Sequence, residues 1–102
     1  MNFEELHQKV VEWGKARGLF TNGSVDAQIE KLREELQELA DAHAEQNHEK
    51  RIDAVGDMMV VLTMIAHMIG KDLFTCYAAA YLEIKDRKGK MVNGTFVKEQ
   101  QG

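Results

Sequence analysis

Between Met58 and Ile69 the chain runs Met-Met-Val-Val-Leu-Thr-Met-Ile-Ala-His-Met-Ile, and no proline stands anywhere in the sequence. A helix that is apolar on every side must be covered all round. With no proline to interrupt them, long helices can form throughout. The run is closely flanked by Asp57 and Lys71 and falls short of the about 20 apolar residues a bilayer span requires. The fold class expected is therefore all-α: a four-helix bundle with this run in its central helix, one face of which is buried against a second subunit.

The remaining helices follow from periodicity and caps. Asn2 and Glu5 make a capping box, after which Phe3, Leu6, Val10 and Trp13 recur at helical spacing, so a first helix is expected at about 3–17, closed by Gly18. Gly18 to Ser24, containing Asn22-Gly23, reads as a loop. Ser24 or Asp26 caps a second helix at about 26–46, where Ile29, Leu32, Leu36, Leu39 and His43 advance in steps of three and four. Asn47-His48 connects to the third helix, about 50–69. Gly70 ends that helix and Asp72 caps a fourth, about 72–88, with Leu73, Cys76, Tyr77, Ala80, Tyr81 and Ile84 facing inward and a basic last turn. In the tail, 90–102, Asn93-Gly94 lies between short apolar flanks, which predicts a small hairpin packed on the bundle and a frayed end at Gln100-Gln101-Gly102.

One domain spanning 1–102 is expected, since a chain of 11.6 kDa holds a single core and buries only about two-thirds of its extended surface. Self-association, as a homodimer or dimer of dimers, would add to that burial. A net charge of −4 and a pI near 5.5 exclude nucleic-acid binding through a broad basic surface. The single cysteine, Cys76, cannot form an internal disulfide, and Asn2-Phe3-Glu4-Glu5 shows no basic-then-apolar leader; a reducing cytoplasm is the expected compartment.

The chemistry concentrates in two acidic segments, Glu34-Glu35-Leu36-Gln37-Glu38 and Asp53-Ala54-Val55-Gly56-Asp57. At about 100° per residue, Glu35 falls just beside the apolar stripe of its helix, Glu38 a little further round, and Glu34 well away. Asp53 and Asp57, at i and i+4, project together from the next helix. Four carboxylates gathered without a counter-ion would repel by about 3 kcal/mol per pair at 5 Å and an effective dielectric near 20. Such a cluster calls for a hard divalent cation, and oxygen-only ligation suits Mg²⁺ or Mn²⁺. No helical His-x-x-x-His or cysteine pair is present for zinc. Asp57 abuts the buried run, where a carboxylate is costly unless paired or ligated. Gly56, unfavourable inside a helix, is read as a point of close approach by a helix or ligand. His7, His43, His48 and His67 show no ligand spacing; His43 and His67 are read as core residues, and the six methionines as adaptable packing.

At these residues the chain resembles the all-α nucleoside triphosphate pyrophosphohydrolases of the MazG type, which carry Glu-Glu-x-x-Glu, a spacer, and an acidic residue shortly before Gly-Asp. Here these are Glu34-Glu35-x-x-Glu38 and Asp53-Ala54-Val55-Gly56-Asp57. The likeness extends to the basic run Glu83 to Met91 and so spans roughly 24 to 98. It departs at Ala54, where an acidic residue is commoner, leaving Asp53 to serve one position earlier.

The resemblance implies Mg²⁺-dependent hydrolysis of (deoxy)nucleoside triphosphates to the monophosphate and pyrophosphate, as housecleaning of the nucleotide pool. Metal ligands would be Glu35, Glu38 and Asp57 with Asp53 assisting, and Glu35 or Glu38 would act on water. Lys31, Lys85, Arg87 and Lys88 would neutralise phosphates, some of them from a neighbouring subunit. Trp13 would stack on the base, with Phe20 or Asn93 as lesser contacts; as an isolated residue Trp13 reads as core sooner than as a base contact. The competing reading is a non-catalytic, homo-oligomeric helical module whose acidic face is merely solvated.

Overall fold

The computed structural model describes residues 1–100; Gln101 and Gly102, part of the end expected to fray, lie outside the described residues. Five helices, α1 (Phe3–Ala16), α2 (Leu19–Asn22), α3 (Val25–Ala44), α4 (His48–Met68) and α5 (Leu73–Ile84), precede a hairpin of β1 (Gly89–Val92) and β2 (Thr95–Lys98). The chain is all-α with a small C-terminal hairpin, as read.

Each long helix starts on a side chain that satisfies an amide the helix itself leaves free. Asn2 accepts from the Glu5 N–H at 2.8 Å, Ser24 from Ala27 at 3.1 Å, Asn47 from Lys50 at 3.1 Å and Asp72 from Thr75 at 2.7 Å. Two of them also end alike. The Asn47 N–H reaches back to the Ala42 carbonyl past Gln46 at φ 55°, and the Lys71 N–H to Ala66 past Gly70 at φ 81°. These left-handed residues reverse the chain at the two ends of α4.

The core is the α3–α4 hairpin with α1 laid across α4. Along α4, Ala54, Val61 and Met64 are buried at steps of seven and three, and Asp57 lies on the same line. Ala42 and Ala54 are both buried near the α3–α4 turn, and residues this small let the two helices approach closely there. Met64 is the most enclosed side chain, and its burial contributes roughly 2 kcal/mol. Thr63, buried in the same helix, satisfies its hydroxyl by donating to the Met59 carbonyl at 2.7 Å.

Several expectations need correction. The Gly18–Ser24 loop contains a helical turn, α2, because Gly18 at φ 77° allows the chain to restart at once and the Phe20 ring packs 4.1 Å from that of His67. The line that α3 buries is Gln28, Leu32, Glu35, Leu39 and Ala42 rather than the stripe through Ile29, Leu36 and His43, all three of which are exposed. Both lines have the same three-four spacing; the one containing Glu35 faces α4. His43 meets Arg51 at 3.3 Å, and His67 is exposed, so neither is a core residue.

The fourth long helix ends at Ile84 instead of Lys88, where the charged run Lys85-Asp86-Arg87-Lys88 offers nothing to pack. It leaves α4 at 97°, so of the face expected to point inward only Leu73 and Cys76 are partly covered; Tyr77, Ala80, Tyr81 and Ile84 are exposed. Leu62 and Ile69 are also exposed, so this chain alone does not cover the apolar run all round. Gly56 faces open space, and nothing in the structure explains a glycine there.

The hairpin forms on Asn93-Gly94 as expected, with φ 49° and 83° at its two central residues and Val92 paired to Thr95. Both angles are those a two-residue turn of this hand requires. It does not pack on the bundle, however; the strands touch each other and no helix. No single helix among the described residues is long and apolar enough to cross a membrane.

Candidate active site

Two adjacent helices supply the acidic centre. Glu35, Glu38 and Asp57 bring one carboxylate oxygen each to within 4.8 Å of one another. The helical spacing explains the convergence: Glu35 and Glu38 stand on consecutive turns of α3, and Asp57 faces them from the inner line of α4. Glu35 is only 4% exposed, Asp57 is half-buried and Glu38 is exposed, so the cluster runs from the core to the rim.

Burial is the first cause that pushes the Glu35 carboxyl above its ordinary range, with neighbouring Glu38 adding to it and Lys31 opposing. Asp57 is raised likewise, first by burial and then by the charges of Asp53 and Glu35. The Lys31 ammonium lies 3.5 Å from Glu35 Oε1 and 3.6 Å from Glu34 Oε2, and that pairing raises its own pKa, the Glu35 contact foremost. Among the described residues, Glu35 Oε2 is buried without a hydrogen-bond partner. An orphaned carboxylate oxygen in a low-dielectric site is costly unless a cation or donor meets it.

A cleft of about 550 Å³ opens beside the cluster, walled by Trp13, Gln28, Lys31, Glu34, Glu35, Asp57, Val60, Val61 and Met64 among others. Trp13 reaches it because α1 crosses α4 one residue later, at Gly14. The indole is 44% exposed, with the Arg17 guanidinium 4.5 Å from its ring centroid, so Trp13 is a cleft wall and not core. Glu34, read as pointing away, stands on the cleft rim through Lys31.

Asp53 does not join the three converging oxygens. It lies close enough to influence Asp57 and opens on a second, smaller hollow with Glu38, Asp41, Glu45 and Lys50. Lys85, Arg87, Lys88 and Asn93 do not line the cleft; they sit beyond α5, Arg87 tied to Glu83 at 3.4 Å and Lys85 to Asp86 at 3.6 Å, and the chain does not fold them back. Gln28, Val60 and Met64 were missed as site residues. Gln28 precedes Glu35 by seven positions and so shares its face, which was the available signal.

A family model, that of phosphoribosyl-ATP pyrophosphohydrolase, matches residues 3–80 of the 102. The chain belongs to the phosphoribosyl-ATP pyrophosphohydrolase family. This family lies within the MazG-like all-α superfamily that the acidic segments resemble, and the matched span holds all three converging carboxylates, Asp53, Lys31 and Trp13. Comparison with curated proteins and with solved structures gave no match. Membership in the phosphoribosyl-ATP pyrophosphohydrolase family makes the chain a pyrophosphohydrolase acting on a phosphoanhydride, with a nucleotide as substrate. The family depends on divalent metal, and the residues present fit one: three hard oxygen donors converge, and one buried oxygen lacks any other partner.

Proposed function

We propose that this pyrophosphohydrolase is Mg²⁺-dependent, with Mn²⁺ able to substitute, and hydrolyses (deoxy)nucleoside triphosphates between the α and β phosphates. The products are the monophosphate and pyrophosphate, and the role is housecleaning of the cytoplasmic nucleotide pool. The observation that carries this reading is the meeting of Glu35, Glu38 and Asp57 on the flank of a cleft that also holds Trp13 and Lys31.

Glu35, Glu38 and Asp57 would hold the ion, with Asp53 assisting from beside Asp57. Held there, a divalent ion would offset the charge that develops on the phosphates. Glu38, the exposed member, is the carboxylate best able to orient water and take its proton, with Glu35 the alternative. As the bond from the water oxygen to phosphorus forms, the α–β bridging bond breaks and pyrophosphate departs. Lys31 stands beside the cluster to neutralise phosphate oxygens. Trp13 offers an apolar face to the base, a contact worth about 1–3 kcal/mol.

The same proposal includes a homodimer or dimer of dimers. Phe74, Tyr77, Tyr81 and Ile84 follow one another at steps of three, four and three on α5, all exposed, and Met91 and Phe96 are paired across the hairpin and also exposed. Ile52, Val55, Leu62 and Ile69 make a second exposed line on α4. A lone soluble chain rarely leaves that much apolar surface to water. A second copy covering it would be the means of bringing Lys85, Arg87, Lys88 and Asn93 to a phosphate or base.

A second substrate reading, phosphoribosyl-ATP, is favoured by the description of the matching family. Pyrophosphate release from a panel of canonical and modified triphosphates together with phosphoribosyl-ATP, with and without Mg²⁺, separates the two. Glu38→Gln abolishes turnover with helicity intact if the site is assigned correctly. Full activity in that variant, or no pyrophosphate from any of the panel, refutes the reading.

A further inference from the structure

Among the described residues, Lys31 is the one cation paired with any of the three converging carboxylates. It reaches Glu35 from one helical turn away, on a side chain that is half exposed, and at nearly the same distance it also reaches Glu34, which is exposed. The ammonium therefore has a second place to stand at little cost in reorganisation. Lys31 stands on Glu35 Oε1 and leaves Oε2 open, so a divalent cation that takes the carboxylate comes within a few ångströms of the ammonium, and the repulsion between the two weakens the hold of Lys31 on Glu35.

We propose that Lys31 is an exchangeable counter-ion, holding Glu35 in the metal-free protein and moving off it to the phosphates when a divalent ion enters. The inference rests on the reading of Glu35, Glu38 and Asp57 as the metal-binding set. Its signature is a pair of effects with opposite signs: Lys31 opposes binding of the metal alone and favours binding of phosphate. A residue serving only as a phosphate contact leaves metal affinity unchanged. A residue serving only to brace Glu35 weakens the metal site when it is removed.

The test is calorimetric titration of Mn²⁺ into nucleotide-free protein, followed by titration of tripolyphosphate at saturating Mn²⁺. Lys31→Met, which keeps the apolar stem, is expected to bind Mn²⁺ about threefold to tenfold more tightly than the parent. The same variant is expected to bind tripolyphosphate roughly tenfold or more weakly. Lys31→Arg retains the charge and should stay near the parent in both titrations, and Lys31→Gln repeats the neutral case with a polar side chain. Unchanged or weaker Mn²⁺ binding in both neutral variants overturns the exchange while leaving the metal site standing. Failure of the parent protein to bind Mn²⁺ at all overturns the metal site and the exchange together.

Discussion

Gly14 of α1 lies against Met64 of α4 so closely that a Cβ on the glycine would fall 2.5 Å from the methionine sulfur. Met64 is 1% exposed, and its thioether end can give way only toward the cleft that it lines. Gly14→Val should therefore overpack the α1–α4 crossing and cost about 2–3 kcal/mol, the upper part of the range for added core volume. In a chain of this size that is a fall of roughly 10 °C or more in the thermal midpoint, measurable by circular dichroism. The same change tilts α1 and moves Trp13, so affinity for nucleotide should weaken beyond what the stability loss explains.

Glu35→Gln separates stability from activity. The parent carboxylate is buried and has one oxygen without a partner, whereas an amide keeps the shape without the charge. Lys31, its ion-pair partner, is half exposed and can be left to water. Metal-free Glu35→Gln should be at least as stable as the parent at neutral pH, with a gain on the order of 1 kcal/mol, and it should lose pyrophosphate release. Denaturant unfolding and a pyrophosphate assay read the two effects independently.

The pH dependence of the metal-free protein has a definite sign. Glu35 and Asp57 both hold their protons more tightly folded than unfolded. Between the ordinary carboxylate range and the raised folded values, the folded state binds the extra protons, so stability falls as pH rises through that window and is level above it. Asp72 acts the other way: the Thr75 N–H lowers its pKa, giving stability that is present above the ordinary aspartate value and lost as pH falls through the lowered one. Denaturant unfolding in chelator across acid and neutral pH should show the falling slope in the parent and a shallower one in Glu35→Gln.

Trp13 should matter for binding and little for folding. Trp13→Ala is expected to raise KM for the best nucleotide about tenfold, the loss of one stacking contact, with kcat within a few-fold of the parent. Trp13→Phe should recover most of the affinity. Because the indole is already a cleft wall, the thermal midpoint should move by no more than a few degrees.

The fold was legible where local chemistry decides it. Asn2, Asp72 and the Asn93-Gly94 turn each act over three or four residues, and each appears where its side chain or backbone preference puts it. Glu35 was harder to place. Its helix carries two three-four lines, one through Ile29 and Leu36 and one through Glu35 and Ala42, and hydrophobicity favours the first. The structure buries the second, so a charged residue sits in the core line and two large apolar ones sit outside. Periodicity alone could not foresee a core position given to chemistry. Nor could it foresee that α5 turns away at 97°, since the same apolar side chains suit a face covered from within or from outside the chain.

Glu35 and Asp57 are only 22 positions apart, on helices joined by a tight turn. In a chain of helices, such a local pairing is among the first tertiary contacts to become available during folding, ahead of the α1 crossing. On that order of events Glu35 and Asp57 would meet while the rest of the chain is still unformed, and their mutual repulsion would weigh on the barrier to folding as well as on the finished state. A divalent ion that relieves it is expected to speed refolding as well as to stabilise the native chain, and stopped-flow refolding with and without Mn²⁺ would read the difference.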